Sequence, residues 1–234
     1  DMATLRRNVA LFRPALEALL RERGVELLAV YTYPAQVLFC RQPITGLSSL
    51  KGLRVRTSSV TQSDWVEALG GLPVSTPFAE LLNHLRAGNI DCAITGTMSG
   101  NTIGLHELTT HLHPQPVTWG LSVFGANAAA WRALPEDVRT LLRRELAQLE
   151  AAIWSESERE TAGGVDCNTG AAACRGGQPG RMTLVRPNAA DEQKRRELFA
   201  NTVLPRWLER CGPTCAPLWN RTLGAGSGVR AQER

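Results

Sequence analysis

The clearest pattern of apolar and polar positions in the chain is a strand, a helix, a strand, a helix and a strand in succession. The strands are predicted at 53–57, 73–75 and 90–94, and the helices at 62–69 and 77–87. Alternating strands and helices favour a parallel sheet with helices packed on it. Ligands bind beyond the carboxyl ends of the strands in such sheets. Arg56 and Thr95 fall at two of these ends.

The rest of the chain continues the pattern on both sides. Helices are predicted at 11–23, 127–134, 135–160 and 191–210, and strands at 25–32, 36–40, 118–124 and 182–185. The segment 163–180 is poor in large apolar residues and predicts a loop, and residues 224–234 are expected to fray.

Composition indicates a globular chain of 234 residues, with 43% hydrophobic residues and a mean hydropathy of -0.15. The net charge of +4 is too small to favour a nucleic-acid partner. No apolar run approaches the roughly 18 residues that cross a bilayer, so the chain is not expected to span a membrane.

The six cysteines bear on the cell compartment. Two close pairs lie in predicted loops: Cys167 with Cys174, and Cys211 with Cys215. Such pairs favour disulfides in an oxidising compartment, either within each loop or between the loops. Zinc is the competing interpretation, but the spacing is not the two-residue repeat of zinc knuckles. Cys40 and Cys92 lie in predicted strands and are expected to be buried thiols.

An ordered set of motifs gives the chain a family resemblance. The motifs are Arg41-Gln42-Pro43-Ile44, Leu50-Lys51-Gly52-Leu53, Gly70-x-x-Pro73-Val74, Phe78-x-Glu80, Gly88-x-x-Asp91 and Trp131-Arg132-Ala133-Leu134-Pro135. Together they resemble the dicarboxylate-binding (DctP-like) solute-binding proteins of tripartite ATP-independent periplasmic (TRAP) transporters, over roughly residues 19–219. One departure is Cys92, where the family has a glycine.

The resemblance implies an α/β fold of the two-lobe periplasmic-binding-protein type, with parallel-rich sheets flanked by helices. Residues 1–34 and 121–161, with a long bridging helix, would form the first lobe, and residues 35–120 and 162–234 the second. Lobe closure is expected about hinge segments near Tyr33–Pro34 and Gly120. Family members carry a further N-terminal block of strands and helices, so the first lobe is expected to be incomplete at its N-terminus.

The resemblance also implies a ligand site. Arg56 stands where the family has an arginine that holds the ligand carboxylate, since the planar guanidinium matches two carboxylate oxygens. Phe78 matches an aromatic residue that packs on the ligand, and Thr95 a polar residue that hydrogen-bonds it. Ser59 and Trp119 are further candidates.

Each of these residues has a structural alternative. Arg56 could be a surface arginine paired with an acid, Phe78 and Trp119 could be core residues, and the Thr95 hydroxyl could satisfy local backbone. Some sugar-acid-binding members carry a second arginine at the position of Gln36, so an acid clamped by two arginines is less expected here.

Histidines and catalytic motifs offer little support for an enzyme. His106, His111 and His113 are more readily explained as solvated loop residues than as metal ligands, although a hydrolase or metal-binding enzyme that used them stays a third hypothesis. There is no Gly-x-Ser-x-Gly, His-Glu-x-x-His or phosphate-loop motif. We therefore expect no enzyme activity, no metal and no cofactor.

By resemblance the chain is expected to be a periplasmic solute-binding protein whose signal peptide has been removed. It would capture a small organic acid and pass it to the membrane subunits of a TRAP transporter. The alternative is a ligand-sensing or scaffold module of the same fold that is not coupled to transport.

Overall fold

The structure is a computed structural model that describes residues 1–232, and the chain divides into two compact units. Unit 1 comprises Asp1–Tyr33, Trp119–Glu158 and Pro213–Arg234, and unit 2 comprises Pro34–Thr118 and Arg159–Gly212. The segment from Pro213 onward was expected in the second lobe, but its turn at 220–224 packs on the N-terminal helix of unit 1. The predicted lobe boundaries and hinges stay a prediction.

The helices are α1 (Met2–Glu22), α2 (Val60–Ala68), α3 (Leu81–Arg86), α4 (Thr97–Thr102), α5 (Leu105–Leu108), α6 (Ala128–Ala133), α7 (Glu136–Thr169), α8 (Ala189–Leu198), α9 (Leu204–Cys211), α10 (Cys215–Trp219) and α11 (Ala225–Ser227). The strands are β1 (Val25–Thr32), β2 (Gln36–Cys40), β3 (Arg54–Thr57), β4 (Leu72–Ser75), β5 (Cys92–Gly96), β6 (His111–Thr118), β7 (Leu121–Asn127) and β8 (Thr183–Leu184). Short 3₁₀ turns occupy Leu47–Leu50 and Phe78–Glu80, and π-helical turns occupy Phe199–Val203 and Asn220–Gly224.

Unit 1 contains a two-stranded antiparallel sheet of β1 and β7, with α1 packed on β1. Helix α7 lies along the other edge of β1. The Val30 N–H donates to Glu150 Oε2 at 2.9 Å, Trp154 Nε1 donates to the Val30 carbonyl at 2.8 Å, and Ser157 Oγ donates to the Thr32 carbonyl at 2.6 Å. Helix side chains therefore satisfy backbone groups that a neighbouring strand would otherwise bond.

Unit 2 is built on a six-stranded sheet in the order β4-β3-β5-β2-β6-β8. Strands β3, β4 and β5 run parallel, as the strand–helix alternation predicts, whereas β2 runs antiparallel to β5 and β6. The sheet is therefore mixed. Its apolar face packs against helices in a core that includes Leu38, Val55, Trp65, Ile94 and Leu198. The predicted α/β fold class is confirmed.

Three predicted helix boundaries are wrong. Helix α1 begins at Met2 because Asp1 Oδ1 accepts the Thr4 N–H at 2.7 Å, and it continues through Pro14. Helix α7 extends into the predicted loop because Gly164 lets it pack directly against the Met98 backbone. The segment after β4 forms a 3₁₀ turn first, and α3 begins only at Leu81.

The prediction that the chain carries disulfide bonds is confirmed, but Cys40 and Cys92 are not thiols. They face each other on β2 and β5, with Cα atoms 4.1 Å apart, and form a disulfide in the core. A second disulfide joins Cys167 and Cys174, seven residues apart. Cys211 and Cys215 are disulfide-bonded as well, so no described cysteine is free.

Candidate functional site

One edge of the unit 2 sheet gathers polar residues from four strands. Strands β3, β4 and β5 are parallel, so their carboxyl ends meet at this edge. Strand β2 runs the opposite way, and its first residue, Gln36, pairs with Gly96 at the end of β5. The candidate site described below consists of these strand ends and the residues that follow them, which is the position where α/β sheets bind ligands.

Arg56 lies at this edge and is buried, with 3% of its surface exposed. Its Nε donates to the Thr76 carbonyl at 2.9 Å and its Nη1 to the Ile94 carbonyl at 2.8 Å. The guanidinium has five N–H donors, and these bonds use two of them. Within residues 1–232 no carboxylate pairs with Arg56, and no other hydrogen bond uses the remaining donors.

This arrangement excludes the alternative of a surface arginine paired with an acid. Burial lowers the pKa of the Arg56 guanidinium from its ordinary value, with no acid nearby to oppose that effect. The guanidinium nevertheless keeps its charge, because arginine does not deprotonate in proteins. Arg54, two residues earlier, behaves differently: its Nη2 lies 2.6 Å from Asp91 Oδ1 in a partly exposed ion pair. Of these two arginines on β3, only Arg56 has its charge left uncompensated by a carboxylate.

A network of two amides and a hydroxyl joins the start of β2 to the segment that follows β3. The Ser58 backbone N–H donates to Gln62 Oε1 at 2.8 Å, and the Ser58 hydroxyl donates to the same oxygen at 3.1 Å. Gln62 Nε2 donates in turn to Gln36 Oε1. The sequence offered a signal for Gln62, because Ser59-x-x-Gln62 is a helix capping-box pattern, but it did not show that the amide would reach β2.

The other predicted ligand residues differ in how accessible they are. Thr95 is 3% exposed, opposite Val37 of β2, whereas Phe78 is 44% exposed in the turn that precedes α3. Ser59 is exposed and caps α2, since its Oγ accepts the Gln62 N–H at 3.3 Å. Trp119 is half-buried and belongs to unit 1. The ligand contacts of these residues stay predictions.

The predicted histidine group is divided between two kinds of environment. His113 is buried in β6, and its Nε2 lies 3.3 Å from Asp191 Oδ2. Burial lowers the pKa of His113, and the neighbouring Asp191 carboxylate opposes that shift in part. His111 is only half-buried and contacts the Thr110 hydroxyl through Nδ1. Across residues 1–232 there is no group of three or more His, Cys, Asp or Glu side chains arranged to hold a metal.

The amino-acid sequence identifies the family of this chain. Residues 6–166 match DctP, the bacterial extracellular solute-binding protein family 7. The chain belongs to this family. The predicted DctP-like solute-binding resemblance is therefore confirmed, as is the predicted extracytoplasmic location. Family 7 is a class of solute receptors rather than a class of enzymes.

A curated relative of this family 7 chain is the ectoine-binding periplasmic protein TeaA of Halomonas elongata. The two are 25% identical over 123 residues, which are 52% of this chain and 36% of TeaA. The matched region of this chain thus spans about a third of the length of TeaA.

Solved structures show the same fold over most of the chain. An orotic acid-bound TRAP periplasmic solute-binding protein from Desulfovibrio salexigens superimposes with a TM-score of 0.83 at 18% identity, covering 97% of this chain and 71% of that one. A Bordetella pertussis extracytoplasmic solute receptor binding pyroglutamic acid gives a TM-score of 0.82 at 19% identity, covering 95% and 71%. In the part of the family 7 chain that is described, no helix is both long and apolar enough to cross a membrane.

Proposed function

We propose that this protein is an extracytoplasmic receptor that captures a small organic acid and delivers it to the membrane subunits of a TRAP-type transporter. The observation that carries the proposal is the Arg56 guanidinium, which is buried without a carboxylate partner among residues 1–232. A buried charge is costly unless it is paired. An incoming carboxylate would provide the missing counter-charge.

The geometry around Arg56 supports binding by this residue. The two backbone carbonyls hold Nε and Nη1 in place, so the guanidinium is oriented before a ligand arrives. A carboxylate can accept two parallel hydrogen bonds from such a planar group. Thr95, Ser59 and Phe78 then provide a hydroxyl at a strand end, a hydroxyl at a helix start and an exposed ring.

The relatives support the choice of ligand class. Two of the structurally similar receptors are described as binding orotic acid and pyroglutamic acid, both of which carry one carboxyl group. Sequence identity to them is below 20%, so they support the class of acid and not a particular compound.

The test is calorimetric titration of the protein with L-pyroglutamate, orotate and glutarate, repeated on Arg56→Lys. Lysine keeps the charge but loses the planar pair of donors, so affinity for the bound acids should fall at least about 10-fold. Arg54→Lys is the matched control, since it changes the other arginine of β3, which already has Asp91 as its partner.

Two results would contradict the proposal. One is full acid binding by Arg56→Lys in a protein whose circular dichroism spectrum is unchanged. The other is an equal loss in Arg54→Lys, which would show that the change acts through the strand and not through a ligand contact.

A further inference from the structure

Strand β5 ends beside Arg56 with little support from β3. Within residues 1–232 the two strands pair at Val55–Cys92 and at Arg56–Ala93, and not beyond. One residue further along β5, the Ile94 carbonyl accepts a hydrogen bond from Arg56 Nη1 at 2.8 Å. The position of this carbonyl relative to the guanidinium therefore depends on what holds the residues that follow Ile94.

Thr97, the first residue of α4, forms hydrogen bonds through its N–H, its hydroxyl and its carbonyl. The N–H donates to the Ala35 carbonyl at 3.1 Å, and the hydroxyl donates to the Glu160 carbonyl of α7 at 3.0 Å. The Thr97 carbonyl accepts from Asn168 Nδ2 of α7 at 2.9 Å. Two of these three bonds are made with α7, so the C-terminal part of α7 holds the junction between β5 and α4.

Asn168 is itself held in one orientation. Its NH₂ group faces two carbonyls, that of Thr97 at 2.9 Å and that of Gly164 at 2.7 Å, and a carbonyl can only accept. Its Oδ1 accepts from Asn101 Nδ2 at 3.2 Å, and neither asparagine has exposed surface. The preceding residue belongs to the Cys167–Cys174 disulfide. The amide is therefore fixed by its partners and has no freedom to turn away from Thr97.

We propose that Asn168 and Thr97 are positioning residues of the acid-binding site. They hold the end of β5, and with it the Ile94 carbonyl that orients the Arg56 guanidinium before a carboxylate arrives. The inference rests on the function proposed above, in which Arg56 binds the carboxylate. Both residues lack exposed surface, so neither is expected to touch the acid. Holding a binding group in its bound orientation raises affinity, because less order has to be gained on binding.

Thr97→Val and Thr169→Val form a matched pair of variants. Both changes remove a hydroxyl that donates to a carbonyl of α7, that of Glu160 for Thr97 and that of Val165, at 2.9 Å, for Thr169. Thr169 bonds within α7, whereas Thr97 bonds to α7 from the end of β5. In calorimetric titrations with L-pyroglutamate, orotate and glutarate, Thr97→Val should weaken binding about 3-fold or more. Thr169→Val should stay within about 2-fold of wild type.

Asn168→Ala removes the donor to the Thr97 carbonyl and should weaken binding of the same acids about 5-fold or more. Urea unfolding of each variant separates positioning from a merely structural role. A structural role would lower the free energy of unfolding and leave the affinity of the folded protein unchanged. Thr97→Val keeps the β-branched side chain, so it provides the same comparison if Asn168→Ala does not fold.

Asn168→Asp adds a pH-dependent readout. An ionised carboxylate cannot donate to the Thr97 carbonyl, but a protonated one gains an O–H donor. Burial beside two carbonyls favours the protonated form. Relative to wild type at the same pH, the acid affinity of Asn168→Asp should therefore recover as pH falls from about 7.5 to about 5.5. His106, whose Nδ1 lies 3.3 Å from Asn101 Nδ2, is titratable and present in both proteins, so the comparison with wild type accounts for it.

The outcomes distinguish this inference from the proposed function. If wild type binds none of the three acids, or if Arg56→Lys binds them as tightly as wild type, the proposed function fails and this inference fails with it. If binding depends on Arg56 but Thr97→Val and Asn168→Ala keep full affinity, only the assignment of the positioning residues is overturned. An equal loss in Thr169→Val and Thr97→Val would overturn it as well.

Discussion

The two disulfides within unit 2 should contribute very differently to stability, because they close chain segments of different length. The Cys40–Cys92 bond spans a sequence separation of 52, and the Cys167–Cys174 bond spans 7. In the chain-entropy treatment, closing these segments in the unfolded state stabilises the fold by about 4 kcal/mol and about 2 kcal/mol. Cys40→Ala/Cys92→Ala should therefore cost about 2 kcal/mol more than Cys167→Ala/Cys174→Ala.

Core packing should further increase the stability lost in the Cys40→Ala/Cys92→Ala variant. Cys40 and Cys92 belong to the apolar core of unit 2 with no exposed surface, whereas Cys174 is only half-buried. Replacing both core sulfurs by methyl hydrogens leaves a small void, which lowers stability further. At about 2–4 °C per kcal/mol for a chain of this size, the two double variants should differ in Tm by at least about 4–8 °C.

Urea unfolding measures the difference in free energy and thermal melts measure the difference in Tm, both followed by circular dichroism, with wild type and each double variant prepared at the same pH and without reductant. An equal loss of unfolding free energy in the two double variants, or a larger loss in Cys167→Ala/Cys174→Ala, would refute the argument from segment length. A check on burial comes from thiol release under mild reductant in native conditions. The Cys40–Cys92 disulfide should be reduced later than Cys167–Cys174, because reductant cannot reach it until β2 and β5 separate.

Three further predictions concern titratable groups of unit 2. Asp64→Asn should lower the free energy of unfolding in urea by about 1.5–3 kcal/mol, because the buried Asp64 carboxylate accepts a 2.6 Å hydrogen bond from Arg210 Nη2. A loss below about 0.5 kcal/mol would show that the Asp64–Arg210 ion pair contributes no more than a surface contact. The Arg195 guanidinium lowers the pKa of Glu192 from 4.5 to about 2. Glu192→Gln should therefore be less stable than wild type at pH 7, and the difference should vanish as pH falls from about 4.5 to about 2; a constant difference over that range would contradict it. Burial lowers the pKa of His113, so the unfolded state binds its proton more readily. Stability should fall as pH drops below about 6.5, the ordinary histidine pKa, and His113→Gln should flatten that part of the profile in pH-dependent thermal melts.

Much of the fold was predictable because local patterns and tertiary packing agree. The bounds of β1 and β2 follow from near-continuous apolar runs, and the parallel arrangement of β3, β4 and β5 follows from their alternation with helices. The Cys40–Cys92 disulfide could not be predicted in this way. It depends on β2 lying antiparallel beside β5 in a particular register, and no local pattern specifies that pairing.

The candidate site was predictable to a similar degree. The position of Arg56 at a strand end follows from the local sequence, but its lack of a carboxylate partner depends on which side chains the whole fold brings near it. The reach of Gln62 to Gln36 likewise joins residues 26 positions apart. Contacts of this kind are set by strand order, which short-range periodicity does not encode.

The hydrogen bonds from α7 to β1 have a consequence for association with other polypeptides. Glu150, Trp154 and Ser157 occupy backbone groups along one side of β1, so no incoming strand can add there without displacing a helix. Val123 of β7 pairs with Val30 of β1, whose N–H and carbonyl point toward α7. Two paired residues that do not bond to each other in an antiparallel sheet point their N–H and carbonyl groups in opposite directions, so those of Val123 point away from β1. Growth of this sheet in aggregates or in oligomers would thus proceed in one direction only, from β7.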